Sequence, residues 1–148
     1  MAKSGIRIEG IEDLRRLLEK GNKKVTQAAR LAVLDAATEV ADKSDNLVPE
    51  DSSDLRDSQM VKPPGLSGNN PTAEITFGGP AAPYAVEQHE NLDLWHPPRA
   101  PGNKDGHIGT GPTAPGSVGS PKYLEWPLLE MAKTFDRRII KTVKRLLR

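Results

Sequence analysis

The chain has 148 residues, a length that suits one hydrophobic core and seldom two. Twenty-one basic against 20 acidic residues leave a net charge of +1, which excludes coating of nucleic acid by bulk charge and equally an acidic solvating tail. Cysteine is absent, so there is no disulfide framework, no thiolate nucleophile and no cysteine-ligated metal, and a reducing compartment is favoured.

Ile6-Arg7-Ile8-Glu9 alternates in polarity and predicts a short strand. Ile11, Leu14, Leu17 and Leu18 then fall at helical spacing, giving a short helix that ends near Gly21. From Lys23 to about Leu47 the apolar stripe Val25, Ala28, Ala29, Ala32, Ala36, Val40, Ala41 predicts one long helix, widened by Leu31 and Leu34. Its alanines admit a close neighbour, and Lys24, Arg30, Asp35, Glu39 and Lys43 are expected to face outward. Pro49 ends it, because proline lacks the amide donor and disfavours helical angles at Val48. Asp51-Ser52-Ser53-Asp54 supplies capping oxygens for a brief helical turn through Ser58. A strand is expected to begin around Ser58–Val61 and to be cut short by Pro63-Pro64-Gly65. Thr72–Phe77 alternates as a second strand. Tyr84–His89 fits a third strand or a short helix, and an extended start is the preferred reading.

Residues 97–121 are proline or glycine at 12 of 25 positions and cannot sustain regular structure. Loops longer than about 15 residues are uncommon in compact domains and serve as binding elements or remain disordered. The segment 90–121 is therefore read as an arm that something outside the domain orders. Beyond it Leu128, Ala132, Phe135, Ile139, Val143 and Leu146 resume helical spacing, with Pro127 placed at a first turn.

Chemistry-bearing patterns are sparse. His89, His96 and His107 cluster around the arm, but His89-Glu90 lacks the second histidine of the H-E-x-x-H zinc helix. Gly109–Ala114 matches a loose dinucleotide fingerprint with neither the strand before it nor the helix after it, and is read as chance. No serine has a base at a recognisable spacing. No metal, no cofactor and no catalytic set is expected, and the chain is read as a non-enzyme without a membrane span or signal peptide.

Two surfaces remain. Residues 133–148 carry seven basic side chains against Asp136 alone. Lys133, Arg137, Lys141, Lys144 and Arg148 share one face, which either is a solvated helix surface or turns toward DNA phosphates or an acidic partner. The aromatics all lie at or after Phe77, and Tyr84, Trp95, Tyr123 and Trp126 bracket the arm. Such residues either anchor interfaces or pin the arm to its own core.

Three segments, in this order, carry a family resemblance. Pro49–Ser58 resembles a P-x-D-T-G-x-L-R-x-S segment, with Ser53 where glycine is usual. Tyr84–Glu90 resembles a Y-A-x-x-x-E/H-x segment, with Asn91 where a glycine is expected next. Pro121-Lys122-Tyr123-Leu124-Glu125-Trp126-Pro127 resembles the K-[FY]-L-x-x-[AP] entry to a C-terminal helix. Together they are similar to the neck or tail-completion proteins of long-tailed bacteriophages, which join head connector to tail. The resemblance implies an α+β fold, with the long N-terminal and amphipathic C-terminal helices packed on a small antiparallel sheet. It also implies a structural virion protein of the head–tail junction that waits in the host cytoplasm during assembly. Its implied partners are copies of itself in a ring (six copies favoured, twelve the alternative), head connector or stopper proteins, tail terminator or tail tube proteins, and passing double-stranded DNA. The implied assembly interface is Tyr84, Glu87, His89, Trp95, Tyr123, Leu124 and Trp126. A reading from a different class is a small nucleic-acid-binding module that acts through the basic C-terminal helix.

Overall fold

The structure, a computed structural model, describes residues 6–48, 53–67, 70–79, 82–90 and 122–148. In chain order they form α1 (Ile11–Glu19), α2 (Lys23–Leu47), α3 (Ser53–Asp57), β1 (Gln59–Ser67), β2 (Asn70–Phe77), α4 (Ala82–Glu90), α5 (Glu125–Ala132) and α6 (Phe135–Leu146). Helices and one two-stranded antiparallel sheet make a small α+β fold, as the sequence pattern predicts.

The turn between α1 and α2 explains why two helices form here and not one. Gly21 takes φ +69°, a left-handed angle that glycine adopts without a Cβ penalty. Its N–H donates to the Leu18 carbonyl at 2.9 Å and the Asn22 N–H to the Leu17 carbonyl at 3.3 Å, the paired bonds of a Schellman ending. Asn22 then caps α2, its Oδ1 accepting the Val25 N–H at 3.1 Å.

Helix α2 is the hub. Its buried face is Val25, Ala28, Ala29, Ala32, Ala36, Val40, Ala41 and Ser44, and α1, β1, β2, α5 and α6 all pack on it. The main core joins this face to Leu14 and Leu18 of α1, Met131 of α5, and Ile139, Ile140 and Val143 of α6. A second, smaller cluster holds Val48, Leu55, Ala85 and Tyr123. Of the outward charges, Lys24, Arg30 and Asp35 are exposed, whereas Glu39 and Lys43 are half-buried in ion pairs.

The hairpin packs on α2, with Val61, Ala73, Ile75 and Phe77 half-buried and the alternate residues Met60, Lys62, Thr72 and Glu74 exposed; Ile75 joins the main core and Phe77 the second cluster. Pro63-Pro64-Gly65 does not stop β1, contrary to expectation. Lys62 pairs with Glu74 and Gly65 with Thr72, so two prolines stand opposite Ala73 alone. A bulge is where a sheet tolerates residues without an amide donor. The extra residue reverses the alternation, turning Pro64 inward, where its carbonyl accepts Arg30 Nη2 at 2.9 Å and Nε at 3.2 Å.

Four further expectations are corrected. Residues 6–9 form no strand; Ile8 is buried in the main core as an irregular segment. Leu31, expected to widen the α2 stripe, is 46% exposed. Tyr84–His89 is helical, inside α4, because Ala85 docks one face of that turn beside Leu55 and Tyr123, an influence that local pattern does not carry. The C-terminal stripe is not one helix: α5 and α6 break at Lys133-Thr134, leaving Leu128 and Ala132 exposed while Ile139 and Val143 are buried. The capping residues Asp51 and Ser52, Pro49, and the arm 91–121 lie outside the described residues.

Two substitutions test the hub. Ala32 is 2% exposed, so Ala32→Leu overfills the face and lowers stability by about 1–3 kcal/mol, read from the midpoint of chemical denaturation. Ser44 Oγ is buried without a hydrogen-bond partner, so Ser44→Ala raises stability by about 1 kcal/mol in the same measurement.

Candidate functional site

The described residues break off at Glu90 and resume at Lys122, and these two points are held together. The Lys122 N–H donates to the His89 carbonyl at 2.8 Å. The Lys122 ammonium donates to Glu90 Oε2, and it lies 2.9 Å from Glu125 Oε2. His89 Nε2 accepts the Glu125 N–H at 3.3 Å, which leaves Nδ1 to carry the proton toward Glu90 Oε1 at 2.6 Å. Lys122 takes φ +59°, an unusual angle for a residue with a Cβ, and its backbone and side-chain bonds hold it there.

Beneath this clasp Tyr123 fills the second cluster at 1% exposure, its hydroxyl donating to the Ala85 carbonyl at 3.0 Å. Phe77 and His89 each meet its ring edge-to-face, with centroids 5.2 and 5.0 Å away. Leu55 enters the same cluster from α3. Its neighbour Arg56 reaches the Asp45 carbonyl at 3.0 Å and the Asp45 carboxylate at 3.3 Å, near the C-terminal end of α2, where a cation suits the helix dipole. The three segments that carry the family resemblance thus converge, contributing Leu55, Ala85 and Tyr123 to one buried point at the root of the arm.

Of the residues expected at an assembly interface, Glu87 is exposed, His89 and Leu124 are half-buried, and Trp126 is 38% exposed. Tyr123 is enclosed by its own chain. Tyr84 lies on α4, and Trp95 lies outside the described residues. Trp126 is joined by Leu128 and Leu129, so α5 stands as an apolar ridge. A groove of about 580 Å³, floored by Ala36 and Ala37 and walled by Ile75, Met131 and Phe135, runs on one side of it. Trp126 and Leu129 border a second depression with Leu47 and Lys43.

Sequence reasoning missed Glu90, Lys122 and Glu125 as a group. Lys122 follows Glu90 by 32 positions, and the only local signal was the lysine beside a tyrosine at the entry to α5. Among the described residues His89, Glu90 and Glu125 also form a set able to hold a metal ion, with donor atoms within 4.8 Å of one another. The Lys122 ammonium already contacts both carboxylates, supplying the positive charge that such an ion would bring.

The basic residues behave differently. Lys133 lies at the α5–α6 break, Arg137, Lys141 and Lys144 on α6, and Arg148 just beyond its end, all exposed. The apolar residues Ile139, Ile140 and Val143 bury the opposite side of α6 against the hub and so fix the outward direction of the charges. Arg138, which leans the other way, donates to Glu39 of α2. Among the described residues no helix is long and apolar enough to cross a membrane.

The clasp has a defined pH range. Hydrogen bonding from Lys122, then from His89, holds the Glu90 carboxyl below its ordinary value of 4.5. Hydrogen bonding to Glu90, then to Glu125, holds the Lys122 ammonium above its ordinary 10.5. The carboxyl contributes stability above its ordinary value, lost as pH falls through the lowered one; the ammonium contributes below its ordinary value, lost as pH rises through the raised one. The clasp is therefore closed across the neutral range and opens at both extremes. In an NMR titration the Glu90 carboxyl should ionise below 4.5 and move back up in Lys122→Met; an unchanged titration in that variant would remove the clasp.

Comparison with protein-family models, with curated proteins and with solved structures finds no match, so function has to be argued from this geometry.

Proposed function

We propose that the chain is a structural subunit of the head–tail junction of a long-tailed bacteriophage, a neck or tail-completion protein that assembles with its own copies into a ring around the DNA channel. The observation that carries this reading is the convergence of Leu55, Ala85 and Tyr123. The segments that resemble the neck proteins are otherwise scattered along the chain, and the role they share here is to build the root from which the arm departs. A resemblance spread over unrelated surface positions would have no such common purpose.

The surface around that root supports the same reading. A ring is closed by heterologous contacts, in which one patch of a subunit meets a different patch on the next. The α5 ridge of Trp126, Leu128 and Leu129 and the adjoining apolar groove are two such unlike patches, and tryptophan is enriched among residues that dominate binding energy. Among the described residues the charged groups of the clasp are engaged with one another. In this role the arm 90–121 reaches a neighbouring subunit, and the assembled ring docks on the connector and receives the tail.

Among the described residues both buried clusters are built by segments on either side of residues 91–121. Deleting residues 97–119 should therefore leave thermal unfolding of the chain unchanged while heads and tails fail to join in a complementation assay. Joined, infectious particles made with the deletion variant would show that the arm has no part in assembly.

A further inference from the structure

We propose that the exposed face of α6 is a binding site for the phosphodiester backbone of double-stranded nucleic acid, engaged without base readout. The site is Arg137, Lys141, Lys144 and Arg145 on the helix, with Arg148 just past its end. The inference concerns a ligand and stands whether or not the chain is a junction subunit.

Pairing is the first observation. Several cations elsewhere on the molecule are matched to acids, such as Arg15 to Glu12, Arg16 to Asp13, Lys43 to Glu39, Lys62 to Glu74, Lys122 to Glu90 and Arg138 to Glu39. Among the described residues Lys20, Lys23, Lys24 and Lys133 have no ion pair either, but the site is where five such cations fall together: none of the five has an ion pair or a hydrogen bond from its side chain.

Helix energetics is the second. Lys144 and Arg145 lie in the last turn of α6, where cations suit the dipole. Arg137 lies in the first turn, where a cation is unfavourable. Arg137–Lys141 and Lys141–Arg145 are like-charge pairs four residues apart on α6, and Lys141–Lys144 three apart, each destabilising a helix by a few tenths of a kcal/mol. No acid among the described residues pairs with these cations to relieve that repulsion, which an anion from outside would do.

The ligand class follows from what surrounds the charges. An acidic protein partner would ask for an apolar or aromatic centre; Ile139, Ile140 and Val143 are buried, Phe135 is half-buried, and Leu146, which is exposed, falls by helical spacing on the side of α6 away from the Arg137–Lys141–Lys144 row. An anionic membrane would need the apolar side of an amphipathic helix, and that side is the one committed to the core. A duplex backbone asks only for a row of cations. Arg137 and Lys144 are separated by about 10 Å of helix rise, and duplex DNA carries one charge per about 1.7 Å of axis. The five cations also line the depression between α2 and α6, where they outnumber Asp35 and Glu39, and Glu39 is already paired to Lys43 and Arg138.

The test is fluorescence anisotropy of the full chain with labelled duplexes of scrambled sequence. Affinity should fall linearly on a log–log plot between about 50 and 200 mM salt, with a slope near −4 for four to five phosphates engaged. The double variant Lys141→Gln, Lys144→Gln should reduce that slope by about 2 with an unchanged circular dichroism spectrum, since both side chains are exposed. No binding at low salt, a slope that the variant leaves untouched, or binding to polyglutamate or anionic vesicles in preference to the duplex would each overturn the assignment. Failure here leaves the junction reading to be decided by particle joining alone.

Discussion

Close approach to the face of α2 is the constraint on which the remaining structure depends. Five of its eight buried residues are alanine and one is serine, so the helix presents a shallow surface with few large side chains of its own. The bulk that fills the core is brought by neighbours: Leu14 and Leu18, Met131, and Ile139, Ile140 and Val143. Each such side chain gains about 1.5–3 kcal/mol on burial, and that gain is available only where the partner backbone lies near enough to reach the alanines. The rotation of α6 is settled by this requirement. Its cationic side faces out because its aliphatic side has one place to go.

The second cluster extends the same logic to the arm. Val48, Leu55, Ala85 and Tyr123 come from four places in the chain: the end of α2, α3, α4 and the entry to α5. α3 has five residues and α4 nine, lengths at which isolated helices are marginal in water, so both depend on the packing they share. Tyr123 is the largest of the four side chains, and its hydroxyl ties α4 to the entry of α5. The polar clasp above it, Glu90 with Lys122 and Glu125, is exposed. Its role is to fix a position, since surface ion pairs add little to stability.

Where the hydrophobic period was long and regular, the sequence was legible. α1 and α2 each show several turns of apolar spacing bounded by Gly21, Asn22 and Pro49, and the structure follows them closely. The bulge at Pro63-Pro64 was not legible, because one extra residue reverses which side of β1 faces inward and only the partner strand reveals it. The break at Lys133-Thr134 was hidden for the opposite reason, since Leu128 and Ala132 keep the helical period of Ile139 and Val143 while facing solvent. At the candidate sites, sequence position revealed that α6 is basic. It could not reveal that Arg138 finds an acid 99 positions away while Arg137 finds none. The Lys122 clasp was equally invisible, because its members become neighbours only when α4 docks beside the start of α5.

The anchoring of Glu90 against Lys122 makes the intervening stretch a replaceable cassette. With both ends fastened at one spot, doubling the length of what lies between adds only about 0.6 kcal/mol of loop-closure entropy, so insertion there is tolerated far better than inside the alanine hub.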